Sequence, residues 1–155
     1  MNLNGTSRKV FCAMKPCLSV DELIDAGRPP LTEMERVGNS FDDPTTEEAR
    51  TAFSRQVLLV EATLRQTYGH AAKLARKADN FDDAAEVWSS TGSLCDLALQ
   101  LLASLKAKYL RCGTRELYDL ALDYRNACET RHKRTLEDKA CLATEFPKGI
   151  LPELS

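Results

Sequence analysis

Residues 81–112 read FDDAAEVWSSTGSLCDLALQLLASLKAKYLRC. Within them Phe81, Ala84, Trp88, Thr91, Cys95, Ala98, Leu102, Leu105, Tyr109 and Cys112 follow at strict intervals of three and four, as a heptad seam does, and only Thr91 is polar. Leu94, Leu97 and Leu101 widen the stripe beyond a two-stranded seam. The segment is therefore expected to be a central helix packed against at least two neighbours.

The pattern extends both ways. From Thr45 to Ala143 there is no proline, and only Gly69, Gly92 and Gly113 interrupt. Upstream, Ala49, Phe53, Val57, Val60, Leu64, Tyr68, Ala71, Ala75 and Ala78 share one helical face, which must be buried. Thr45 with Glu48 three residues later has the form of a capping box at its start. Between the two segments, Asp79-Asn80-Phe81-Asp82-Asp83 reads either as a tight turn with Asn80 as N-cap or as an acidic patch on one continuous helix. A turn gives two antiparallel helices, each about 45 Å long. Without it, Ser89-Ser90-Thr91-Gly92-Ser93 is the weakest point of a single rod.

Downstream, Gly113 suits a helix C-cap and Thr114 an N-cap. Leu117, Ala121, Tyr124, Cys128, His132, Leu136, Ala140 and Ala143 then form a third stripe. Most of Glu129 to Lys139 is charged, so that part is expected to project beyond the core.

Residues 1–44 form an N-terminal segment. Ser19-Val20-Asp21-Glu22 is a second capping box, opening a short helix that Gly27 and Pro29-Pro30 are expected to end. Leu31 to Val37 follows as a further short piece, with Leu23, Ile24, Met34 and Val37 as anchors on the bundle or on a partner. Residues 144–155, with Pro147 and Pro152, are expected to be a loosely held tail. The fold class expected is all-α: an antiparallel bundle or elongated coiled coil of three long helices with short N-terminal helices.

The 155 residues, 43% hydrophobic and 28% charged, suit one ordinary domain. A net charge of −2 gives no general pull toward nucleic acid or membrane, so any such attraction must be local. The basic residues before Val10-Phe11-Cys12-Ala13-Met14 precede an apolar patch too short for a signal-peptide core, and no apolar run is long enough to span a bilayer. A cytoplasmic location, with peripheral contact to a membrane, is the expectation. Of the six cysteines, Cys95, Cys112 and Cys128 fall on buried stripes, where reduced cysteine behaves as a small hydrophobe. Cys12 and Cys17 are spaced too loosely for a zinc knuckle, so neither a metal nor a cofactor is expected.

Basic residues gather at Lys73, Arg76 and Lys77, at Lys106, Lys108, Arg111 and Arg115, and at Arg131, Lys133, Arg134 and Lys139. Such clusters are ordinary on a solvated helix face, and on a curved surface they attract anionic lipid headgroups. Asp42-Asp43-Pro44, Val60-Glu61-Ala62-Thr63-Leu64-Arg65 and Leu120-Ala121-Leu122-Asp123-Tyr124-Arg125-Asn126-Ala127 with Leu136-Glu137 resemble the spacing in BAR domains, including those of sorting nexins. The resemblance implies an elongated helical homodimer on anionic membranes, with Lys73, Arg76, Lys77, Arg131, Lys133 and Arg134 facing the headgroups. It points to a non-enzymatic scaffold or adaptor that self-associates or binds a helical partner.

A different class is suggested by Arg125-Asn126-Ala127-Cys128-Glu129-Thr130-Arg131-His132, which resembles the arginine, polar residue and histidine of HEPN ribonucleases. Seven residues are almost two helical turns, so Arg125 and His132 share a face. There the histidine would serve as general acid or base and the arginine would steady phosphate charge. Arg65-Gln66-Thr67-Tyr68-Gly69-His70 fits the same loose form. A phosphate-binding glycine loop, a calcium loop and a nucleophile elbow are all missing from the sequence.

Overall fold

A computed structural model describes residues 19–145. Four helices fill them: α1 (Val20–Asn39), α2 (Glu47–Lys77), α3 (Phe81–Leu105) and α4 (Thr114–Glu145). The all-α expectation holds, but the count differs. In place of three long helices with short N-terminal pieces, four substantial helices pack together, and α1 is a full member of the bundle.

The difference lies at Pro29 and Pro30, which sit inside α1 instead of ending it. Each removes an amide donor, leaving the carbonyls of Asp25 and Ala26 without their intrahelical partners. Asp25, Ala26 and Pro29 are exposed, so water can satisfy those carbonyls. On the opposite face Leu23, Gly27, Leu31, Met34, Val37 and Gly38 are buried, and this packing holds the helix through the break. The Ser19 capping box forms as expected: the Ser19 hydroxyl accepts from the Glu22 amide at 3.2 Å, and the Glu22 carboxylate accepts from the Ser19 amide at 3.5 Å.

The other boundaries follow local hydrogen bonding. The N-cap of α2 is Thr46, not Thr45, with its hydroxyl accepting from the Ala49 amide at 3.2 Å. Thr45 is held instead by the Asp43 carboxylate, which accepts from its amide at 2.9 Å and its hydroxyl at 2.5 Å. These two bonds also hold the Asp43 carboxyl below its ordinary range. Asn80 caps α3, accepting from the Asp83 amide at 2.8 Å, so the turn reading of 79–83 is the right one. With the turn formed the single rod does not arise, and Ser89 to Ser93 lies inside α3, where Thr91 and Ser93 donate their hydroxyls to the carbonyls of Val87 and Ser89.

The seam residues Tyr109 and Cys112 are buried as expected, yet they lie beyond the helix, which stops at Leu105 with Lys106 as C-cap. Gly113 is therefore not the C-cap of α3. It stands before α4 with φ of 81°, a conformation natural to glycine, and its carbonyl accepts the first α4 bond from Leu117. Thr114 is the first residue of α4 rather than its N-cap, and its hydroxyl donates to the Tyr109 carbonyl at 2.7 Å. α4 runs on to Glu145, past the expected start of the tail; residues 146–155, like Cys12 and Cys17, lie outside the described residues.

Contacts set the topology. Tyr68 meets Trp88, Arg125 pairs with Asp96, and Lys139 with Asp82, so α2–α3 and α3–α4 run antiparallel. A Cβ on Gly27 would meet Leu94 and one on Gly38 would meet Leu105, which makes α1 and α3 parallel. The helices thus alternate up and down, with α1 and α4 on opposite sides of the α2–α3 pair. Phe53, Leu64, Leu102, Leu105 and Tyr109 are among the largest side chains of the core. Phe53 and Tyr109 stack with centroids 4.0 Å apart, and the Tyr109 hydroxyl donates to the Gly38 carbonyl at 2.7 Å, tying the α3–α4 loop to the end of α1.

Candidate functional site

Two clefts flank α4. The larger, about 640 Å³, opens where the last turns of α2, the start of α3 and the second half of α4 converge. Small residues create the space: Ala72, Ala75 and Ala78 from α2 and its end, with Ala84 from α3. Phe81 and Trp88 add aromatic surface, while Arg76, Asp79, Asp138 and Arg131 bring charges of both signs. The volume is in the range of binding clefts, and half of the twelve lining residues are polar or charged.

Arg131 makes side-chain contacts to two of the aromatic residues here. Its guanidinium lies 5.2 Å from the centroid of the Trp88 ring, and its Nε donates to the Tyr68 hydroxyl at 2.9 Å. Tyr68 in turn stacks on Tyr124 at 4.7 Å and tilts against Trp88 at 5.6 Å. Arg76 lines the same cleft, so one member of each basic cluster on α2 and α4 reaches it. Lys73, Lys77, Lys133 and Arg134 are exposed and are not among the residues lining it. Acidic residues are interleaved, and the Lys139 ammonium binds the Asp82 carboxylate at 2.6 Å.

The second cleft, about 250 Å³, lies between α3 and α4 and contains both Arg125 and His132. The seven-residue spacing thus does bring them together. Asp96 and Glu129 line it as well, and the Arg125 Nη1 stands 3.7 Å from an Asp96 carboxylate oxygen. The Arg125 Nε is buried and has no hydrogen-bond partner among the described residues. Asn126 is exposed and is not among the residues lining the cleft. His70, in the other loose match, is partly buried on α2; burial and the nearby Lys73 charge lower its pKa.

The aromatic cluster around Arg131 and the carboxylates around Arg125 could not be read as a site from the sequence, because each is gathered from separate helices. Tyr68, Trp88 and Tyr124 gave only a core signal. Among the described residues no group of three or more histidine, cysteine or acidic side chains is arranged to hold a metal, and no helix is long and apolar enough to cross a membrane. Comparison of the chain with known protein families, with curated proteins and with solved structures finds no match.

Proposed function

We propose that the chain is a non-enzymatic helical scaffold that self-associates through the second half of α4. The observation behind this reading is an apolar stripe left without cover. His132, Leu136, Ala140 and Ala143 continue the face that is buried at Leu117, Ala121 and Cys128, yet none of them is buried, and Leu136 is 41% exposed. No residue from Glu129 to Thr144 is buried. A helical segment of this length is marginal in water by itself, and the exposed Lys139–Asp82 pair adds little. A second copy laid antiparallel would cover Leu136, Ala140 and Ala143 on both chains through one self-complementary contact. Size-exclusion chromatography with light scattering is expected to give twice the 17.2 kDa of one chain. Leu136→Glu with Ala140→Glu, both at exposed positions, is expected to give a folded monomer; a monomeric parent chain would overturn the proposal.

A second reading, ribonuclease activity of HEPN type, draws support from the shared cleft of Arg125 and His132. The Asp96 and Glu129 carboxylates weigh against it, since they repel a phosphate where the arginine should receive one. On this reading His132→Ala abolishes cleavage of single-stranded RNA and leaves the fold intact. Equal cleavage by parent and variant excludes it.

A further inference from the structure

The described residues begin at Ser19, and the first turn of α1 lies beside the larger cleft. Ser19 and Val20 line a groove of about 280 Å³ together with Ala78 and Asp79, and these last two also line the cleft. Val20 packs on the core cluster that contains Val87 and Trp88, and Ala72 and Ala75 of the cleft pack on the same cluster. A continuous surface path therefore leads from the start of α1 to the cleft. Ala72, Ala75, Ala78, Phe81 and Ala84 are only half-buried, which leaves apolar surface open there.

The chemistry along this path has an order. Asp83 and Glu86 line the groove at Ser19, Asp79 stands where groove and cleft meet, the alanines and Phe81 follow, and Asp138 lies on the α4 wall. The sequence ahead of Ser19 has the matching order. Lys15 comes first, then the apolar run Val10-Phe11-Cys12-Ala13-Met14, then Arg8-Lys9, and no aspartate or glutamate occurs in residues 1–18. The reach is sufficient: the nine residues from Val10 to Ser19 span up to about 30 Å when extended, whereas Ala72 to Ala78 occupy about 9 Å of α2. Arg76, Lys77 and Arg131 also border the path, so charge fixes direction and the apolar run supplies most of the binding.

We propose that residues 8–15 close the larger cleft of their own chain. Phe11 and Met14 cover the alanine floor beside Phe81, while Lys15 and Arg8-Lys9 meet the carboxylates at either end. The segment is an internal competitor: its short tether gives it a high effective concentration, and whatever else binds in the cleft must displace it. The contact does not depend on self-association, because Leu136, Ala140 and Ala143 are not among the residues lining the cleft.

The test uses the full chain, treated with a water-soluble carbodiimide that joins lysine amines to carboxylates without a spacer, then digested and mapped by mass spectrometry. Links from Lys15 or Lys9 to Asp79, Asp83, Glu86 or Asp138 are expected, with few to Glu47 or Glu116 at the opposite end of the bundle. Phe11→Asp, a change outside the four helices, is expected to cut these links about tenfold or more, as loss of one large buried apolar side chain should. The same variant is expected to bind anilinonaphthalene sulfonate in the opened cleft, seen as energy transfer from Trp88. Mixing isotopically labelled with unlabelled chains shows which copy is linked. Links between labelled and unlabelled peptides would place the segment on a second copy and overturn the proposal. Absence of links to the cleft in the parent chain, links spread evenly over both ends, or links that survive Phe11→Asp would overturn it too.

Discussion

Three glycines inside helices show how the setting of a residue, rather than its type, decides its worth. A Cβ on Gly27 would stand 2.5 Å from Leu94 Cδ2, in the buried contact between α1 and α3, whereas one on Gly69 would meet nothing within 4 Å. Gly38 resembles Gly27, with Leu105 Cδ2 at 2.9 Å and Phe53 Cε1 at 3.0 Å. Alanine raises helix propensity by about 1 kcal/mol over glycine at any interior position, but overpacking a filled core costs about 1–3 kcal/mol. Gly69→Ala is therefore expected to stabilise the chain by about 0.5–1 kcal/mol. Gly27→Ala is expected to destabilise it by about 1–2 kcal/mol, the overpacking outweighing the propensity. Urea unfolding checks both, and opposite signs are the expected result. The sequence reads Gly27 as part of a helix end and Gly69 as an interruption of a stripe, and neither reading holds the sign of the effect, since the crowding around Gly27 comes from residues far along the chain.

At the level of the element, α1 and α4 mark the limits of sequence reading in opposite senses. The apolar intervals of α2 and α3 gave their buried faces directly, because Phe53, Val57, Val60 and Leu64, and Leu94, Ala98 and Leu102, all lie in the core. In α1 the local rule against internal proline lost to packing, since the unsatisfied carbonyls fall on the exposed side. Exchanging Pro29 and Pro30 together for alanine restores two amide donors and removes two ring clashes. The unfolded chain also gains freedom, which opposes part of the benefit. A net gain of about 1 kcal/mol or more is expected, measured by thermal and urea unfolding. An unchanged or lower stability would mean that the break is itself favoured by the packing against α3. In α4 the stripe was legible and so was its departure from the core, but the neighbour that would cover Leu136 is absent from a single chain's sequence pattern.

The bundle as a whole carries its charge in an uneven way. Although the net charge is only −2, Lys73, Arg76 and Lys77 on α2 and Arg131, Lys133 and Arg134 on α4 are brought to one end, with Asp79, Asp82, Asp83 and Asp138 among them. The two clusters were legible separately; their convergence was not, because it depends on α2 and α4 running in the same direction. If this end meets anionic headgroups, as the BAR resemblance implies, changing Lys73, Arg76 and Lys77 to glutamate is expected to release the chain from phosphatidylserine vesicles in a co-sedimentation assay, with the remaining binding weakened by salt. Undiminished binding would exclude this surface as the contact. Trp88, the chain's single tryptophan, borders both clefts and lies beneath the Arg131 guanidinium. The protein therefore contains its own optical gauge: a molecule seated in either cleft, or a shift of α4 that lifts Arg131 from the indole, changes the emission of one fluorophore without any label being attached.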